Sequence, residues 1–441
     1  MIDKLKLSGV EGFGEIPADW EINKMAFTFS FGKGLSITKE DLQDEGIPSI
    51  TYGDIHSRFG FQINPEVDEV RCVDPRYIKS ARNSLLQYGD FIFADTSEDI
   101  AGSGNFTHFN GHAPAFAGYH TITARAKCDV DVRFIAYLFD SEPFRNQIRN
   151  SVSGVKVFSI TQTILKSAKL LLPPLPEQRA ISAFLDDCCG KVDGIIADLE
   201  HQVELLRQYK KALITETITK GLDKSAPMKD SGVDWIGEMP KHWEVKRLKF
   251  LGSARNGLTY APEDIVDEGE GVLVLRSSNI QNNALSFDDN VYVRAKIPKE
   301  IFLQENDLLI CARNGSQALI GKCALIDKET AGQTYGAFMC VYKSRYNKFI
   351  HYVFLSDIFS YYLGTFLTST VNQLTNMNLY NIRIPIPLDK EEQTSIVEHL
   401  DKKCAEIDML VAEKQRSIEM MRQYKRSLIY EYVTGKKRVA H

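Results

Sequence analysis

The side chains best suited to chemistry in this sequence do not assemble into a recognisable active site. His108, His112 and His120 lie close together in the chain. Their segment is polar and loop-like, with neither helical spacing nor cysteines beside it, so it lacks the ligand pattern of a metal centre. Gly315 to Cys323, GSQALIGKC, has the outline of a phosphate-binding loop. Five residues separate its glycines, one too many, and Cys323 stands where a serine or threonine hydroxyl would bind magnesium. Leu172-Pro173-Pro174-Leu175 is a proline turn, not the Asn-Pro-Pro-Tyr or Asp-Pro-Pro-Tyr run with which amino-methyltransferases hold a flipped base. Carboxylates are plentiful, but none forms an Asp and Glu-x-Lys arrangement of nuclease type. The eight cysteines are scattered without a C-x-x-C pair, which reads as free thiols in a reducing cytoplasm. No catalytic residue and no metal ligand is assigned.

The elements that would position any site are clearer. Pro173 to Gly221 opens on prolines and then runs for roughly forty residues with none. Apolar residues recur at Ile181, Leu185, Cys188, Val192, Ile195, Leu199, Val203, Leu206, Tyr209 and Leu213. These steps of mostly four and three predict a helix with a coiled-coil seam. Its length, on the order of 60 Å at 1.5 Å per residue, suits a spacer between two bodies better than the interior of one.

The same stretch occurs again at Pro387 to Lys436. Gln178 matches Gln393, Leu185 matches Leu400, Cys189 matches Cys404 and Asp193 matches Asp408. Leu206-Arg207-Gln208-Tyr209-Lys210-Lys211 matches Met421-Arg422-Gln423-Tyr424-Lys425-Arg426. The second seam runs through Ile396, Leu400, Cys404, Ile407, Val411, Ile418, Met421 and Leu428. The starts of the two halves repeat as well: SGVEGFGEIPADW (8–20) aligns without a gap with SGVDWIGEMPKHW (231–243). Duplication therefore governs the architecture.

Between these markers each half is mixed α and β. Strand-like runs are IPSITYGDI (47–55), FIFADT (91–96) and HTITARAK (120–127), then GVLVLRSSNI (271–280), DLLICAR (307–313), KCALID (322–327) and GAFMCVYKS (336–344). Segments 96–112 and 313–321 read as polar loops, and 222–230 as a linker. A helical pattern closes each body. The expected fold is α+β: two mixed α/β domains at 1–172 and 222–387, each followed by a long helix at 173–221 and 388–441, the helices pairing as an antiparallel coiled coil. Ile181, Leu185, Val192, Leu199, Leu206, Ile396, Leu400, Ile407 and Leu428 are the expected pairing residues. At 441 residues, 44% hydrophobic and 25% charged, with formal charge −5, the composition is that of an ordinary soluble protein. No apolar run approaches a membrane span, and the N-terminus lacks a signal-peptide core.

With this plan in view, the chain resembles the specificity subunits of type I restriction-modification systems. GEIPADW and GEMPKHW, PPLPEQ (173–178), LLRQYKK (205–211) and MMRQYKR (420–426) carry the resemblance, which covers nearly the whole chain. One departure is LDKEEQ (388–393), which lacks the Pro-Glu pair of the first helix start. The resemblance implies two target recognition domains reading a bipartite, asymmetric double-stranded DNA site, with the paired helices setting the gap. It implies a non-catalytic chain acting with two modification subunits that use S-adenosylmethionine to methylate adenine at N6. Two restriction subunits with ATP and Mg would complete the complex, in the cytoplasm. Base edges are read by polar side chains on loops held by a rigid frame. The candidates are Tyr52, His56, Arg58, Ser97, Ser103, Asn105 and Lys156 in the first half. In the second they are Arg276, Ser277, Asn279, Gln281, Arg313, Asn314, Gln317 and Asn372. Two rival readings are an enzyme with an unrecognised nuclease or methyltransferase site, and a coiled-coil scaffold that binds protein.

Overall fold

The two long helices are continuous, 46 residues at Leu175–Lys220 and 44 at Lys390–Val433. The computed structural model describes residues 4–154, 156–367 and 372–439. The chain folds into two compact units whose boundary cuts through both helices. One unit holds residues 1–199 and 417–441, the other 200–416. Each unit is therefore one globule plus a part of each helix.

Within each unit the helices pair antiparallel. In the first, Lys425 Nζ donates to both oxygens of Asp193 at 2.7 Å, and the Phe184 and Tyr432 rings meet at 4.5 Å. In the second, Lys210 Nζ donates to Asp408 and Lys414 Nζ to Gln202 Oε1, each at 2.6 Å. The repeated Arg-Gln-Tyr-Lys run thus supplies the same cross-helix ion pair twice.

Of the expected pairing residues, Ile181, Leu185, Val192, Ile396, Leu400, Ile407 and Leu428 are buried, and Leu199 and Leu206 are half-buried. Ile195 and Tyr209 depart from the expected seam and face solvent. The buried line runs instead through Cys189, Val192 and Val203 to Ile214 and Ile218. The last turns of the first helix, with Ile214 and Ile218, enter the core of the second globule, around Trp243 and Leu248. The last turns of the second helix, with Leu428, Ile429 and Val433, enter the first core around Trp20.

The first globule is built on a five-stranded sheet in the order 29–33, 121–126, 91–94, 106–109, 62–63. The second repeats it with four antiparallel strands, 253–256, 339–343, 308–311 and 323–325. A smaller sheet accompanies each, with 47–50 central in one and 272–275 in the other. Phenylalanines dominate the first core: Phe91 meets Phe139 edge-on at 4.8 Å and Phe29 at 5.8 Å. Helices at Val132–Asp140 and Glu142–Arg149 close that globule, and Asn347–Phe354 and Asp357–Phe366 close the other.

Three local expectations change. Segment 96–112 is not all loop, because Phe106–Phe109 is a fully buried strand whose alternation is hidden by Thr107 and His108. Tyr52–Ser57 is a short helix, since Asp54 accepts from the Thr51 amide and hydroxyl and caps it. The linker ends in a strand, Met228–Asp230, paired with Glu238–Pro240.

The repeated tryptophans join globule to helix. Both are fully buried. Trp20 Nε1–H donates to Glu177 at 3.2 Å and Trp243 Nε1–H to Glu392 at 2.9 Å. The second helix start thus keeps the glutamate that matters and loses only the proline. No helix of the described residues is long and apolar enough to cross a membrane.

Candidate nucleic-acid interface

In the first unit, the capped helix Tyr52–Ser57 brings three candidates together. His56 Nε2–H donates to the Thr96 carbonyl at 2.9 Å. Asn105 Nδ2 donates to His56 Nδ1 at 2.9 Å, and Arg145 donates to Asn105 Oδ1 at 2.7 Å. Asp140 in turn accepts from Arg145 at 3.0 Å. The polar ends of His56 and Asn105 are therefore occupied by the loop itself, and they set its shape. Tyr52 packs its ring against His56, Tyr119 and His120. Arg58 is exposed at the end of the helix, its guanidinium 4.8 Å from the Phe59 ring. Ser97 and Ser103 are buried, which removes them from a base-reading surface as the loop stands. Ser97 belongs to a short strand pair with Phe158, and exposed Lys156 lies two residues before that partner.

In the second unit, Asn314 Nδ2 donates to Ser277 Oγ at 3.1 Å, linking two candidate loops. Arg313 forms a backbone bridge with Gln373, beside half-buried Asn372, and lies 5.3 Å from the ring of exposed Phe338. Arg276 pairs with Asp289 at 2.8 Å. Asn279 is fully buried. Its amide nitrogen donates to the Ser286 carbonyl and to Asn290, and its oxygen accepts from the Arg276 amide. It is a loop brace, not a surface reader. Gln281 and Gln317 are exposed, and Gln281 Nε2 donates to the Ser278 carbonyl at 3.1 Å.

Several residues at these surfaces escape sequence reasoning. Arg145 sits on a helix, so nothing local ties it to Asn105. Phe338 had a usable signal: alternation across buried Met339 turns it outward. The hairpin tip Asn282-Asn283 has positive φ at both residues, and it shares a groove of about 610 Å³ with Arg207, Lys210 and Lys211 of the first long helix. The three clustered histidines diverge. His108 is buried in its strand, and burial pushes its pKa down to about 4. His112 stacks on Tyr88, and His120 pairs with Asp95. Among the described residues, no group of His, Cys, Asp and Glu is placed to hold a metal ion.

Taken together, the units carry one scaffold twice, with differently composed loops on each copy. The family described as the type I restriction modification DNA specificity domain matches residues 17–205 and 240–420, and the chain belongs to this family. The putative type I restriction enzyme MjaX specificity subunit of Methanocaldococcus jannaschii is 26% identical, over 97% of this chain and 95% of that protein. The MjaVIII specificity subunit of the same organism is 27% identical, over 69% of this chain and 70% of its own length. A solved structure described as the basis of complex assembly and conformational transition of the type I R-M system superposes with a TM-score of 0.70 at 18% identity. It covers 96% of this chain and 99% of its own, and shares the fold.

Proposed function

We propose that this chain is the DNA-specificity subunit of a type I restriction-modification complex. Each globule reads one half of a bipartite, asymmetric site, and the chain directs adenine-N6 methylation and restriction by its partners. The observation that carries the reading is the contrast between repeated and unrepeated contacts. The Trp–Glu joints and Asp–Lys helix pairs occur twice. The loop braces occur once each: His56–Asn105–Arg145 in one globule, Arg276–Asp289 and Ser277–Asn314 in the other. One frame with two different readers suits two different half-sites.

The chain itself is non-catalytic in this reading. S-adenosylmethionine, ATP and Mg belong to the partner subunits, and the complex works in the cytoplasm. Two copies of the modification subunit are supported by a repeated exposed apolar set on the helices. Ile195, Met420 and Tyr424 lie near the Asp193–Lys425 pair in the first unit. Leu410, Leu205 and Tyr209 lie near the Lys210–Asp408 pair in the second. The working division is recognition domains at 1–172 and 222–387, with spacer helices at 173–221 and 388–441.

The test is globule exchange. Residues up to about 170 are replaced by the first globule of another family member, and methylated adenines are mapped in cells that also carry the modification subunit. One half of the methylated site changes and the other stays. A change in both halves, or in neither, refutes the assignment.

A further inference from the structure

Two phenylalanines are repeated at a place the reading loops do not use. Phe27 follows strand Glu21–Lys24 and Phe250 follows strand Glu244–Arg247, each three residues beyond the strand's end. Each is 71% exposed. In the same strand pairs, two cations stand directly opposite one another: Lys24 faces Lys169, and Arg247 faces Arg383. Like charges in that position oppose strand pairing. No carboxylate pairs with any of these four among the described residues. The neighbouring lysines add charge. Lys127 Nζ donates to the Ala26 carbonyl at 2.8 Å, next to Phe27, and Lys249 Nζ lies 4.8 Å from the Phe250 ring centroid. In the second unit Phe250, Arg247 and Arg383 line a surface cleft of about 630 Å³, with Val233 and Val245 also in its lining.

In the second unit an exposed ring shares a cleft with two unneutralised cations. The first unit carries a ring and two cations at the matching positions, Phe27, Lys24 and Lys169, while the loops differ. The pattern calls for an anionic partner met twice. A duplex backbone takes the cations but offers the ring little apolar surface. A protein surface takes both, and Phe and Arg are the residue types enriched where such surfaces meet. We infer that this patch is a docking point, one per globule, for a polypeptide that presents an apolar side chain between carboxylates. The occupant is a segment of the modification subunit, so the inference rests on the function proposed above.

The experiment uses the full-length chain and the purified modification subunit, with affinity measured by titration calorimetry. The variants are Phe27→Ala, Phe250→Ala, the double Phe variant and Arg383→Gln. All alter surface side chains, and circular dichroism checks their folding. Each single Phe variant weakens one of two partner-binding steps by about tenfold or more, in line with loss of an interface anchor, and the double variant weakens both. Arg383→Gln weakens one step and makes it less salt-dependent. The affinity of the isolated chain for duplex DNA stays within about twofold of the wild type, the expectation for residues outside the DNA surface. Unweakened partner binding by the variants overturns the docking point alone. Loss of DNA affinity with a shallower salt slope also overturns it, and marks the patch as a phosphate contact. A wild-type chain that binds no modification subunit overturns the function proposed above, and the docking point with it.

Discussion

Gly435 and Gly221 end the two long helices, and the structure predicts that replacing them by alanine has unequal effects. Both adopt left-handed backbone, with φ of +70° and +72°. At the first helix end the Gly221 amide bonds back to the Thr217 carbonyl at 3.0 Å, and at the second the Lys436 amide bonds back to the Glu431 carbonyl at 2.8 Å. An L side chain in this conformation costs roughly 1–2 kcal/mol at either position. The surroundings then separate them. A Cβ on Gly221 would lie 3.2 Å from the Trp243 ring, which asks for a small adjustment. A Cβ on Gly435 would lie 2.4 and 2.8 Å from Pro17 ring atoms and 3.2 Å from Trp20. A proline ring beside a fully buried tryptophan has no free rotamer to take up, so overpacking adds roughly 1–3 kcal/mol. Gly221→Ala is expected to cost about 1–2 kcal/mol and Gly435→Ala about 2–5 kcal/mol. For units of this size each kcal/mol lowers the melting temperature by roughly 2–4 °C. Differential scanning calorimetry of the full chain should show the larger loss for Gly435→Ala, in the transition of the first unit. Equal losses, or a larger one for Gly221→Ala, would refute the argument that Pro17 and Trp20 form a rigid seat for the second helix.

Leu185→Asp or Leu400→Asp places an unpaired charge in a fully buried position, at a cost of several kcal/mol. Size-exclusion chromatography should show lost assembly with the modification subunit. Asn105→Ala leaves His56 Nδ1 and one Arg145 N–H without their partner, and methylome mapping should show relaxed reading of one half-site with the other intact. Burial holds the pKa of His108 and of His351 down at about 4, against 6.5 in the unfolded chain. The unfolded state therefore binds protons first on acidification. Stability from these neutral imidazoles is complete above pH 6.5 and falls progressively toward pH 4, by of order 3 kcal/mol each. Melting temperature against pH, for the wild type and for His108→Leu and His351→Leu, should show a shallower acid limb in each variant.

The long helices and their joints were legible because their signals are local and repeated. The 3.6-residue period, the tryptophan before each globule and the Gln-Tyr-Lys run are each readable over a few residues. What escaped depends on contacts far apart in the chain. Tyr52 to Ile55 reads as the end of a strand until the Asp54 cap is seen. Phe106–Phe109 reads as loop because two polar residues sit in a strand covered on both faces. Ile195 and Tyr209 fit the heptad by spacing, yet both face solvent; beyond Tyr209 the helix end answers to the Trp243 core as well as to its partner. Ser103 and Asn279 are polar residues in polar loops, the expected signature of a reader, and both are buried.

The burial of Ser103 and Asn279 bears on how specificity is stored. Buried polar bonds are costly to leave half-made, so they fix loop shape more firmly than exposed ones do. Asn279 braces its loop through four partners, and the His56–Asn105–Arg145 chain braces the other. The surface side chains on those loops, Arg58, Lys156, Arg313, Phe338 and Gln317, have no such commitments to the fold. Specificity can therefore change along two routes. Exchanging an exposed residue alters a contact while the loop keeps its form. Exchanging a brace alters the loop and every contact on it. Neither route touches the Trp–Glu joints or the Asp–Lys helix pairs, which lie on the repeated frame. A reader built this way tolerates wide divergence in its loops while the surfaces it offers to shared partners stay constant.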